Sequence, residues 1–163
     1  MRKKISIGFL VILVLIFGFG IIKAHKVNAP PPTQKIGNGQ PMLTTKTITI
    51  GKNVILAEVA STDEQKRDGL SGRESLAVGT GMLFIFDAPH TEGFWMKDMR
   101  LSLDIIWANG DGIIVTIFKN LSPQTYPTVF KPSVPAQYVL EVPAGYTAQY
   151  GIAVGDKIVL QSF

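Results

Sequence analysis

The residues of this chain best able to do chemistry lie in and around three short apolar runs. Lys97 ends Gly93-Phe94-Trp95-Met96-Lys97, Asp104 interrupts Leu103-Asp104-Ile105, and Glu141 follows Tyr138-Val139-Leu140. Apolar runs of this kind are ordinary core. A charge inside one is not, because an unpaired buried charge costs several kcal/mol or more. If each run is a strand, side chains alternate between faces. Trp95 and Lys97 then lie opposite Phe94 and Met96, Asp104 opposite Leu103 and Ile105, and Glu141 opposite Tyr138, Leu140 and Val142. Arg67 and Arg73 flank the end of an expected helix and can supply further cations. Lys97 and Asp104 are expected to be partners or to share a network.

Two readings of this set stay open. One is a structural salt-bridge network on a half-exposed sheet, since surface pairs are common and individually weak. The other is a ligand pocket with Trp95 as an apolar wall and Lys97, Arg67 and Arg73 as contacts to anions or hydroxyls. A few polar groups on an apolar wall are what a small-molecule site needs. The pocket reading also expects Trp95 to be partly accessible. Asp104 with Glu141 is the one pair that offers acid–base chemistry, of the kind that cleaves glycans.

Other chemistries find little support. Beyond the juxtamembrane His25 the chain has only His90, so a histidine-rich metal site is not expected. It has no cysteine, hence no disulfide, thiol nucleophile or thiolate metal ligand. Ser71, in Gly69-Leu70-Ser71-Gly72, lacks the glycine spacing of a nucleophile elbow. Asp111 between Gly110 and Gly112 lacks the spaced acidic ligands of a calcium loop. No cofactor is implied.

The elements that must position these residues follow an N-terminal stretch of different character. After Arg2-Lys3-Lys4, residues Ile5–Ile22 carry no charge, roughly 27 Å of helix. Basic residues before such a run hold the N-terminus in the cytoplasm. Residues 1–28 therefore read as a signal anchor, with a cleaved secretory signal as the alternative, the cell membrane as partner, and everything after as lying outside the cytoplasm. Residues 29–46, with Pro30-Pro31-Pro32, Gly37, Gly39 and Pro41, read as a tether. The formal charge of +4 comes from the anchor. Beyond residue 26 there are eleven basic and twelve acidic residues, so the basic surface of a nucleic-acid binder is not expected.

Residues 47–163 are enough for one domain. Thr47–Ile50 and Val54–Ala60 alternate around Gly51-Lys52-Asn53 and predict a hairpin. Thr62-Asp63-Glu64-Gln65 fits a capping box for a short helix ending near Gly69-Leu70. Strands are expected over Met82–Phe86, Gly93–Lys97, Leu103–Ala108, Ile113–Leu121, Tyr138–Val142 and Lys157–Phe163, with a helical turn over Ala144–Tyr150. Asn109-Gly110-Asp111-Gly112 is a turn signal, and Ser122 to Pro135 a proline-interrupted loop. Together these predict a mainly β, monomeric domain: a compact, mainly antiparallel barrel or roll with one or two short helices.

Arg67-x-Gly69-Leu70-x-x-Arg73, Gly81-Met82-Leu83-Phe84-x-Phe86, Phe94-Trp95-Met96-Lys97, Leu103-Asp104-Ile105, Ala136-x-Tyr138-Val139-Leu140-Glu141 and Gly155-Asp156 occur in this order. With them the chain resembles the bacterial and archaeal family known as domain of unknown function 192 (DUF192), over roughly residues 47–163. The family often has Met after the Gly-Leu pair, where Ser71-Gly72 stands here, and Asn after the Phe-Trp-Met-Lys run, where Asp98 stands. Members often follow a signal or anchor. The resemblance implies a fold and candidate positions, Asp98 among them, but no reaction. The function expected is binding of a small ligand or envelope component, with a glycan-acting enzyme or an envelope assembly factor as alternatives.

Overall fold

The structure is a computed structural model that describes residues 43–161. The expected anchor and most of the expected tether lie outside them. Among the described residues, no helix is long and apolar enough to cross a membrane.

Seven strands form one sheet: β1 Thr45–Ile50, β2 Asn53–Ala60, β3 Thr80–His90, β4 Leu103–Ala108, β5 Ile114–Leu121, β6 Ala136–Pro143 and β7 Ile158–Leu160. Their order is β5-β4-β6-β3-β2-β1-β7. The sheet curls into a half-barrel. Its two outer strands meet at one end through a bridge between Ile113 and Lys157. Every strand pair is antiparallel except β2 with β3. That parallel pair needs a crossover, and helix α1, Asp63–Asp68, lies within it.

Local sequence explains most elements. The capping box forms at α1: Thr62 Oγ1 accepts from Gln65 N–H, and Gln65 Oε1 accepts from Thr62 N–H. Gly69 ends the helix at positive φ. The second helix, α2 (Tyr146–Gln149), falls where a helical turn was expected.

Both faces of the sheet are covered. One carries Ile48, Ile55, Leu83, Ile106, Leu140 and Val142 together with Tyr146 of α2. The other carries Met82, Phe84, Leu103, Ile105, Trp107 and Val139 with Leu70 and Met96 from the connections. All six residues of β4 are buried, which is why that strand reads as continuous apolar sequence broken only by Asp104.

One expected strand is absent. Gly93–Lys97 is a loop that touches strand geometry only where Phe94 bridges to Phe130. The reason is tertiary. β6 already occupies the free side of β3, and Phe94 turns onto the second core layer, with its ring 4.9 Å from Phe84 and 5.7 Å from Trp107. The alternation survives even so. Met96 is buried, while Trp95 and Lys97 are exposed.

Candidate functional site

A cavity of about 550 Å³ opens on the second face of the sheet. Its walls come from α1, from β3 and its outer end, and from the loop after it. Leu70, Phe84, Phe86, Phe94 and Met99 make the apolar lining, Lys66, Arg67, Trp95 and Lys97 stand around it, and Glu141 is the contribution of β6.

Glu141 sits between two neighbouring strands, paired with Met82 of β3 and Ile105 of β4. β3 and β6 approach closely here. A Cβ on Gly81 would lie 2.5 Å from the Glu141 carbonyl oxygen, so only glycine fits. The residue is 6% exposed, and its carboxyl has no hydrogen-bond or ion-pair partner among the described residues. Burial pushes that carboxyl up to about 8, so it is protonated at pH 7 and offers an O–H donor.

His90, at the outer end of β3, lies against Phe86, with ring centroids 3.7 Å apart. The Glu92 N–H donates to its Nδ1 at 3.1 Å. Burial lowers its pKa from the usual value; the Glu92 carboxylate opposes this and the Lys66 ammonium adds to it. The ring is therefore neutral at pH 7, and because Nδ1 is an acceptor the proton sits on Nε2. That Nε2 is buried and without a partner among the described residues. Lys66 Nζ stands 4.7 Å from the Phe86 ring centroid, a cation–π contact.

Of the residues singled out from sequence, Arg67, Trp95, Lys97 and Glu141 line this cavity. Trp95 is 55% exposed, as a pocket wall at the mouth requires. Arg67 is exposed and lies 3.9 Å from Asp68. Three others lie elsewhere. Arg73 makes a two-pronged ion pair with Glu58 of β2, with both side chains mostly buried. Asp98 is exposed, holds positive φ, and accepts from Gly72 N–H through its backbone carbonyl.

Asp104 requires the largest correction. It is fully buried and pairs in register with Val142, whereas Glu141 pairs with Ile105, so the two acids point to opposite faces of the sheet. Asp104 accepts from the backbone N–H groups of Asn120 (2.8 Å), Gly145 (3.0 Å) and Thr147 (2.9 Å), and from the Thr147 hydroxyl (2.6 Å). It fastens α2 and the end of β5 to β4. It is not the partner of Lys97, which belongs to the cavity mouth on the other face. A charge inside an apolar strand demands a partner, but backbone donors satisfy it as well as a lysine does.

Sequence reasoning did not place Lys66 or His90 at this cavity. Their only signal was position: Lys66 one residue before Arg67, and His90 four residues after Phe86.

Comparison with known proteins bears on the fold and the family. Two solved structures are similar to the chain. One is a candidate transcription regulator from Sinorhizobium meliloti 1021, at 28% identity and TM-score 0.71, covering 75% of this chain and 98% of that one. The other is a protein of unknown function from Novosphingobium aromaticivorans DSM 12444, at 30% identity and TM-score 0.65, covering 72% and 84%. No curated protein matches. The DUF192 family, described as an uncharacterized ACR family, matches residues 46–160, which span every strand and both helices apart from Thr45. By that match over the whole described sheet, the chain belongs to the DUF192 family.

Proposed function

We propose that this protein is a binding domain for a small molecule, held outside the cytoplasmic membrane by its N-terminal segment. The observation that carries the reading is Glu141: a carboxyl without a partner among the described residues, on a residue almost wholly buried, at the wall of an open cavity of about 550 Å³. Burying a polar group without a hydrogen bond costs about 1–3 kcal/mol, a cost that a ligand can remove. The volume falls within the usual range for small-molecule sites. Aromatic walls with polar groups at the mouth suit a ligand with an apolar body.

The placement of the acids counts against a glycan-cleaving pair of Asp104 and Glu141, because two carboxyls on opposite faces of a sheet cannot flank one bond. The regulator description of the Sinorhizobium protein is not carried over. The sequence beyond residue 26 is nearly charge-balanced, and a nucleic-acid surface needs a basic patch or stripe. The tether to the membrane rests on Ile5–Ile22 following three basic residues.

Native mass spectrometry of the full chain, extracted gently from membranes of its own host, tests the binding reading. A bound mass below about 1 kDa, lost in Glu141→Leu, is expected. A chain that carries no such mass, and whose Trp95 emission is unmoved by envelope extracts, would refute the reading. Activity of a cytoplasm-only reporter fused at the C-terminus would refute the topology.

A further inference from the structure

We propose that the cavity selects a ligand through an oxygen acceptor, a neutral carbonyl or a carboxylate on a small apolar or ring-shaped body, seated between Glu141 and His90. This rests on the pocket reading above and names its ligand class. Two polar groups in the buried part of the cavity wall lack partners among the described residues: the carboxyl of Glu141, a residue 6% exposed, and the buried Nε2 of His90. The Glu92 N–H occupies the acceptor nitrogen of His90, which leaves Nε2–H as a donor. The Glu141 acid carries its own proton at pH 7. Both groups therefore carry donors with no protein partner among the described residues, and an acceptor oxygen in the cavity supplies one. Phe84 and Phe94 supply the apolar wall for the body of such a ligand.

The alternative is an ammonium, which would ionise Glu141 and sit among the aromatic rings. The two classes differ in the sign of their pH dependence. An acceptor needs the protonated acid, so its affinity falls as pH rises through about 8. An ammonium needs the carboxylate, so its affinity rises over the same range. Other ionisable groups that face the cavity are Asp63, Lys66, Arg67 and Asp68 on α1. Asp87 and His90 face it from β3, and Glu92 and Lys97 from the loop. The lowered His90 stays neutral from pH 7 upward.

The test is a ligand-observed NMR titration of the full chain in lipid nanodiscs, with empty nanodiscs as blank. The probes are benzamide, benzoate and benzylamine, which share one ring and differ in the polar group. Benzamide and benzoate should bind at pH 7 at least tenfold more tightly than benzylamine, and benzamide should weaken about tenfold between pH 7 and pH 9. Glu141→Gln keeps a donor, so it should still bind benzamide but lose the pH dependence. Glu141→Leu should lose binding, with circular dichroism checking that it folds. Benzylamine binding as well as benzamide, or more tightly at pH 9, would overturn the acceptor class and leave the pocket reading standing. If none of the three binds, the acceptor class falls. The pocket reading falls with it only if the extracted chain also carries no bound molecule.

Discussion

Replacing Glu141 by glutamine separates the cost of the buried acid from the shape of the site. The two side chains are nearly isosteric, and only the acid titrates. Its carboxyl lies at about 8 in the folded protein against an ordinary value of 4.5. Between those limits the folded chain keeps a proton that the unfolded chain has released. Stability therefore falls as pH rises from 4.5 towards 8 and is level above it, by about 1.4 kcal/mol per pH unit. The loss amounts to about 3 kcal/mol at pH 7 and about 4 kcal/mol at pH 8. Glutamine has no such slope. For a domain of this size 1 kcal/mol is roughly 4 °C in Tm, so the variant should gain on the order of 10 °C over the parent between pH 5 and pH 8. Thermal melts of both proteins followed by circular dichroism across that range give the difference directly. His90 also titrates, but it is present in both proteins and cancels. Parallel Tm curves would show that Glu141 is solvated or partnered in solution, and the argument for an unsatisfied acid at the cavity would fail.

Three further outcomes are expected. Asp104→Ala strands the N–H groups of Asn120, Gly145 and Thr147 and should cost about 3 kcal/mol or more by chemical denaturation; combined with Lys97→Ala the effects should add within about 0.5 kcal/mol, and a larger coupling would restore the ion pair that the structure excludes. Trp95→Ala should change stability by no more than about 0.5 kcal/mol, since the side chain is largely exposed, while removing the bound mass seen by native mass spectrometry. Gly93→Ala would place a Cβ against Val129 Cγ1 and 2.8 Å from the Phe130 carbonyl oxygen; it should cost about 1–3 kcal/mol and displace the loop that carries Trp95, seen as a shift in tryptophan emission.

The local elements of this domain were legible in the sequence because short-range chemistry specifies them. The capping box at Thr62 and Gln65, the turn before β5 and the alternation of β1 and β2 each depend on a few neighbouring residues, and each appears as expected. The parity of β4 and β6 was legible too. Asp104 lies opposite Ile105, and Glu141 opposite Leu140 and Val142. The placement of β6 between β3 and β4 was not, because no local pattern encodes which strands pair across fifty residues. That placement decided the site. It put Glu141 beside Ile105 on the cavity face, sent Asp104 to the other face against backbone donors, and left no free side of β3 for Gly93–Lys97 to join. The sequence by itself determined that Asp104 and Glu141 are acidic side chains set in core strands. Only the tertiary structure decided that one is satisfied by four hydrogen bonds and the other, among the described residues, by none, because a buried group is satisfied only by the neighbours that the folded chain brings to it.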